Sequence, residues 1–138
     1  MIRVLSIGCY DLLHYGHMVH LRTAKQLGDF LVVAITEDDM VTKEKGPGHP
    51  LFPAIERYSM LSGMRCVDQI IIHRDFYSTV RSCKPNIVVK GADWKGKMDK
   101  EQKFLDELGV QLVFLDERPI YSSTEIMTGK LFHRRAIK

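Results

Sequence analysis

The stretch Gly8-Cys9-Tyr10-Asp11-Leu12-Leu13-His14-Tyr15-Gly16-His17 decides the fold, because it stands between an apolar run and a helical pattern. Ahead of it, Ile2-Arg3-Val4-Leu5-Ser6-Ile7 has the apolar, β-branched character of a short buried strand, and Gly8 stops the run. Behind it, His17 through Gly28 reads as a helix with Met18, Leu21 and Leu27 on one side and Gly28 as its stop. Strand, tight turn and helix start, in that order, collect unpaired backbone N–H groups and the positive end of a helix dipole at one place. Phosphate is the ligand such a place suits.

His14 and His17 are three residues apart, so on a helical first turn they share a face and can both donate to phosphate oxygens. Gly16 between them removes a side chain where the backbone has to approach a ligand. Histidines near helix starts also occur without any ligand. Metal binding by this pair is not expected, since the carboxylate and third ligand of a zinc helix are missing nearby.

Working outward, Phe30-Leu31-Val32-Val33-Ala34-Ile35 is a second strand, which completes a right-handed βαβ unit and a parallel sheet. Such sheets bind ligands at the carboxyl ends of their strands, where the histidine stretch sits. Met40 through Pro53 reads as a long connection carrying Lys43, Lys45 and Gly46-Pro47-Gly48, either surface charge or a functional loop. Ala54 to Met64 reads as a helix entered through Pro53, with Arg57 on it and Arg65 just beyond. Strands follow at 69–72, 87–89 and 111–115, with helices at 76–83 and 100–108 between them.

The fourth strand runs into the glycine-rich turn Lys90-Gly91-Ala92-Asp93-Trp94-Lys95-Gly96-Lys97, on the same sheet edge as the histidines. There the ring of Trp94 is suited to wall a nucleotide base and Asp93 to read its polar edge, although a tryptophan that only covers the core rim fits equally. Ser122-Ser123-Thr124-Glu125 is an N-cap cluster ahead of a helix over 126–132. The expected architecture is one α/β domain, residues 1–132, a doubly wound Rossmann-like parallel sheet of about five strands, followed by a basic tail over 133–138.

Composition sets the outer limits. The 138 residues are 45% hydrophobic, enough for a real core, with a formal net charge of +3 spread among acids. Nucleic acid would ask for a denser basic face. No apolar run approaches a membrane span and the start lacks a signal-peptide pattern, so a cytoplasmic location and no membrane insertion are expected. Three dispersed cysteines, Cys9, Cys66 and Cys83, suit reduced thiols, and Cys9 reads as a small packing residue.

The phrase GCYDLLHYGH resembles the H-x-G-H signature of the cytidylyltransferase-like nucleotidyltransferases, in the form carried by glycerol-3-phosphate and phosphoethanolamine cytidylyltransferases. KEKGP looks like their lysine-bearing loop, ERYSML with Arg65-Cys66-Val67-Asp68 resembles their E-R helix and R-x-V-D turn, and GADWKGKMD resembles the glycerol-3-phosphate cytidylyltransferase turn. YSSTEI is similar to the closing I-S-T-T motif, while the R-T-x-G usual before it reads here as Glu117-Arg118-Pro119-Ile120. The KG loop is also similar to that of the ADP-heptose type, and sugar-phosphate and flavin adenylyltransferases share the H-x-G-H turn.

The resemblance implies nucleotidyl transfer. CTP and a small phosphorylated or phosphonate alcohol, glycerol 3-phosphate first, are the expected substrates; ATP with a sugar phosphate or FMN is the alternative, and a non-catalytic nucleotide-binding module the third reading. It implies His14, His17 and Lys43 or Lys45 as catalytic, and Gly8, Cys9, Tyr10, Gly16, Gly91, Asp93, Trp94, Arg118, Ser122, Ser123 and Thr124 around the nucleotide. Asp11, Arg57 and Arg65 are implied for the acceptor. Mg2+ is expected with the triphosphate, held mostly by phosphate oxygens and water, and a homodimer is expected.

Overall fold

The structure, a computed structural model, describes residues 1–115; Arg118, Ser122, Ser123, Thr124, the expected helix over 126–132 and the tail over 133–138 lie outside the described residues. Five parallel strands, β1 (Arg3–Gly8), β2 (Phe30–Thr36), β3 (Gln69–His73), β4 (Ile87–Gly91) and β5 (Gln111–Leu115), lie in the order β3-β2-β1-β4-β5. The helices are α1 (Tyr15–Gln26), α2 (Asp38–Lys45), α3 (Ala54–Ser62), α4 (Phe76–Cys83) and α5 (Asp99–Leu108). This is the expected doubly wound α/β architecture.

Side-chain alternation along the strands divides the core between the two faces. Val4, Leu31, Val33, Ile35 and Val89 pack with Leu21 and Ala24 of α1 and Leu61 of α3 on one face. Leu5, Ile7, Val32, Ala34 and Val88 pack with Val80 of α4 and Leu105 of α5 on the other. Both faces are covered, so β1 and β2 read as nearly continuous apolar runs. The chain leaves β1 toward one face and β4 toward the other, and these two strands are neighbours, with Leu5 opposite Val88. The topological switch point therefore lies between the carboxyl ends of β1 and β4.

Two details differ from the sequence reading. The connection over 40–53 holds most of α2, whose apolar residues are the adjacent pair Met40 and Val41, so it carries no apolar stripe at helical spacing to read. Asp38 and Asp39 in its first turn and Lys43 and Lys45 in its last match the helix dipole. Gly28, taken as a helix stop, has another role: α1 ends through Leu27 in ordinary right-handed geometry. A Cβ on Gly28 would sit 2.7 Å from the Ile2 carbonyl oxygen and 2.8 Å from a Val4 methyl, so the glycine is there for close passage against β1.

Candidate active site

The turn after β1 is tightly constrained. A Cβ on Gly8 would come within 2.9 Å of the Tyr10 ring, and Tyr10 and Leu12 hold positive φ angles of 53° and 51°, uncommon for residues with side chains. Tyr10 is buried in the core, its hydroxyl 2.5 Å from Ser6 Oγ of β1, which is in turn 3.3 Å from His20 Nε2. Asp11, also buried, accepts hydrogen bonds from the backbone N–H groups of Leu51 and Phe52, tying the turn to the segment ahead of α3.

His14 caps α1. Its Nδ1 accepts from the Gly16 N–H at 3.1 Å, and His17 Nδ1 accepts from the His14 N–H at 3.3 Å, a reciprocal capping box built from two imidazoles. The rings stack with centroids 3.8 Å apart and 20° between planes, and Tyr10 supports His17 at 5.3 Å. Because each Nδ1 accepts, each neutral ring carries its proton on Nε2. Burial, with His14, His20 and Lys45 nearby, pushes the His17 pKa down to about 3, and burial lowers that of His14 as well. The pair thus presents N–H donors without positive charge at the start of a helix.

Cationic groups gather around this turn. The charge of Lys45 is felt at Cys9, His17 and Lys90, whereas that of Lys43 enters none of these, although both lysines are exposed at the end of α2. Arg57 is buried and fully engaged: Nε donates to the Phe52 carbonyl at 2.9 Å, one terminal nitrogen to the Cys9 carbonyl at 2.8 Å, and the other to Asp38 at 2.7 Å. Its place is the joint between the turn, α2 and α3. Cys9 Sγ lies 3.8 Å from the same guanidinium, and burial pushes its thiol pKa up.

At the end of β4, Gly91 makes room for Asp93, whose Oδ1 would be 2.8 Å from a Cβ there. Trp94 lies in a short 3-10 turn (Ala92–Trp94), 42% exposed and stacked under the Lys90 ammonium, which is 4.3 Å from the ring centroid. Sequence pattern places Lys90 only within a polar turn; its position at the end of the apolar run Ile87-Val88-Val89 was the available signal.

Arg65 is not brought to this site. It follows α3 and is exposed three residues before Asp68, whose N–H bonds the Leu31 carbonyl at the amino end of β2, the opposite edge of the sheet. Among the described residues no group of three or more histidine, cysteine, aspartate or glutamate side chains is placed to hold a metal ion. No described helix is long and apolar enough to cross a membrane.

A parallel sheet whose switch point carries two stacked imidazoles at a helix start, with lysines nearby, has the layout in which α/β domains hold phosphate ligands. The chain belongs to the cytidylyltransferase-like family, which it matches over residues 5–129. It is 35% identical over 126 residues to the bifunctional protein HldE of Desulfatibacillum aliphaticivorans, and 34% over 130 residues to that of Sulfurimonas denitrificans. These matches cover 90% and 93% of this chain and 26% and 27% of those proteins, so the chain spans about a quarter of their length.

The crystal structure of the lipopolysaccharide core biosynthesis protein from Thermoplasma volcanium superposes with a TM-score of 0.76 at 33% identity, covering 86% of this chain and 99% of that one. Pantothenate synthetase from Thermus thermophilus, at 15% identity and a TM-score of 0.60 over 96% of this chain and 66% of that one, shares the fold.

Proposed function

We propose that this domain transfers AMP from ATP to a sugar phosphate of the ADP-heptose type. An acceptor phosphate oxygen attacks the α-phosphorus, its new P–O bond forming as the bond to the bridging oxygen of the β-phosphate breaks, and pyrophosphate leaves. The observation that carries the reading is the stacked neutral pair His14 and His17 at the carboxyl end of β1. The acceptor oxygen is already ionised near neutral pH, so no base is required of the protein. The chain's task is alignment and charge stabilisation.

In this mechanism the Nε2–H groups of His14 and His17 donate to phosphoryl oxygens, and Gly16 and the start of α1 let the phosphate approach backbone N–H groups. Lys45, rather than Lys43, extends over the turn to the triphosphate, which arrives as its Mg2+ complex. Arg118, Ser122, Ser123 and Thr124 keep their assigned place around the triphosphate from the closing motif, and Trp94 with Asp93 and Gly91 borders the base. Asp11 and Arg57 act by holding the turn in shape.

The choice of ATP and a sugar phosphate over the CTP and glycerol 3-phosphate first expected is supported by the relatives, HldE proteins and a lipopolysaccharide core biosynthesis protein, the latter pointing to saccharide chemistry. CTP stays the second reading because the exposed Trp94 sits in the GADWKGK turn at the site's edge. A homodimer is part of the proposal, supported by the exposed apolar side chains Ile55, Tyr58 and Met60 of α3.

The test is magnesium-dependent pyrophosphate release with ATP or CTP against heptose 1-phosphate, glycerol 3-phosphate, phosphoethanolamine and FMN. ATP-dependent release with the heptose phosphate is the expected outcome. Release with CTP and glycerol 3-phosphate instead would transfer the assignment to the second reading, and no release with any pair would leave a nucleotide-binding module.

A further inference from the structure

We infer that Lys90 is a catalytic residue of this site, its ammonium binding the non-bridging oxygens of the phosphoryl group in transfer at the crevice between β1 and β4. The inference rests on the nucleotidyl-transfer reading and adds a residue to it.

Lys90 is the fourth residue of β4 and shares the sheet face of Val88, on which α4 and α5 pack. The histidine pair starts α1 and belongs to the other face. The Lys90 Nζ donates to the Ile7 carbonyl of β1 at 3.2 Å, which fixes the ammonium across the gap between the two strands at the switch point. Trp94 covers it on one side at 4.3 Å. Lys90 thereby reaches the strand ends from one face of the sheet, while the histidine pair stands at the start of the helix on the other.

The ammonium has no carboxylate within ion-pair distance among the described residues. Glu44, Asp93 and Glu101 act on it from farther away, against Lys45, while burial pulls its pKa below the ordinary lysine range. An ammonium carries three N–H donors, and one carbonyl and one aromatic face leave that capacity incompletely used. Holding a half-buried charge with no carboxylate of the described residues in ion-pair distance is unfavourable, and an anionic ligand offsets the cost. Arg57, the buried cation nearest in kind, has its Nε and both terminal nitrogens engaged by Phe52, Cys9 and Asp38.

The reaction explains why a charge is needed here. An anionic phosphate attacks an anionic phosphoryl group, and the neutral imidazoles supply donors but no charge. Lys90 supplies it. In the step, a lone pair of the acceptor oxygen forms the new P–O bond and the electron pair of the broken bond leaves on pyrophosphate. Lys90 stays protonated throughout, so no proton has to move.

The experiment uses the full chain as wild type, Lys90→Met and Lys90→Arg. In the wild type, Lys90 acetylation by an amine reagent is followed by mass spectrometry with and without AMP, CMP or inorganic tripolyphosphate. Trp94, the single tryptophan, reports binding by fluorescence. The monophosphates and tripolyphosphate should all protect Lys90, since each can place a phosphoryl group where the transferred one sits. Lys90→Met should bind AMP roughly tenfold more weakly, as expected for a lost charge-assisted contact, with a melting temperature no lower than wild type. Its kcat should fall by about 100-fold, the scale for one preorganised phosphoryl contact, with partial recovery in Lys90→Arg.

Equal acetylation with and without either monophosphate would overturn the inference, as would a Lys90→Met enzyme that retains its kcat and AMP affinity. A Lys90→Met protein that melts much lower while binding AMP normally would assign Lys90 a structural role and also overturn it. If the wild type releases no pyrophosphate with any substrate pair, the transfer reading falls and the catalytic role with it; monophosphate protection of Lys90 then separates that failure from the absence of a phosphate site.

Discussion

His17 acts as a neutral donor, which sets both its contribution to turnover and its cost to stability. Replacing it by alanine removes an N–H aimed at developing phosphoryl charge and is expected to lower kcat by about 100 to 1,000-fold, by analogy with oxyanion-hole donors. Steady-state pyrophosphate release measures this, and a loss under about tenfold would sink the assigned role. In an unfolded chain a histidine takes up its proton near pH ~6.5, but folded His17 resists protonation down to about 3. Between these values the unfolded state binds more protons, so stability is greatest above the unfolded pKa and falls as pH drops toward the folded one. His14 and His73, also lowered by burial, act in the same direction. The slope has a ceiling of ~1.4 kcal/mol per pH unit for each histidine. Urea midpoints should therefore be lower at pH 5 than at pH 7.5, and His17→Asn should reduce the difference. Equal midpoints at the two pH values would contradict the burial of the pair. At this scale the motif was legible because His14, Gly16 and His17 fall within four residues at a helix start, where reciprocal capping brings the two rings together. The preference for Lys45 over Lys43 was not, since it depends on the direction in which α2 ends.

Among the elements, α2, α3 and the turn after β1 are joined through Arg57. Its three guanidinium bonds reach Phe52, Cys9 and Asp38, and Asp38 also accepts from the Ala54 N–H at the start of α3. Arg57→Ala leaves the Cys9 and Phe52 carbonyls without this donor and Asp38 without its ion pair, and is expected to cost about 3 kcal/mol of stability. Denaturant unfolding measures the loss, and Arg57→Lys should recover part of it through Asp38. Because the turn is held by this joint, kcat should also fall in variants that remain folded, and wild-type stability in Arg57→Ala would refute the joint. Sequence pattern placed Arg57 only on the helix, and the family resemblance implied it for the acceptor. The observed partner, Asp38, is nineteen positions away, a separation that helical periodicity does not address. Helix α2 escaped notice for a related reason, since with Val41 as its buried residue it has no stripe.

For the whole molecule, the order β3-β2-β1-β4-β5 puts the end of β1 beside the end of β4 and so assembles the histidine pair, Lys90 and the Trp94 turn from segments more than seventy residues apart. The exposed side of α3, with Ile55 68% and Met60 55% accessible, is the surface on which the proposed dimer is argued. Light scattering at micromolar concentration should give twice the 15.9 kDa chain mass, and Ile55→Glu with Met60→Glu should return the chain mass. A single-chain mass for the wild type would remove the dimer from the proposal. Apolar runs, their alternation with helical segments and the histidine turn by themselves determined the parallel α/β sheet and a phosphate site at the end of the first strand, because these depend on local period and on the backbone geometry of a helix start. Only the tertiary structure decided that Arg57 is a buried joint, that Arg65 lies at the far edge of the sheet, and that Lys90 points into the switch point. Those outcomes follow from which strands become neighbours and which face each crossover takes, and these are properties of packing between distant segments that no local pattern contains.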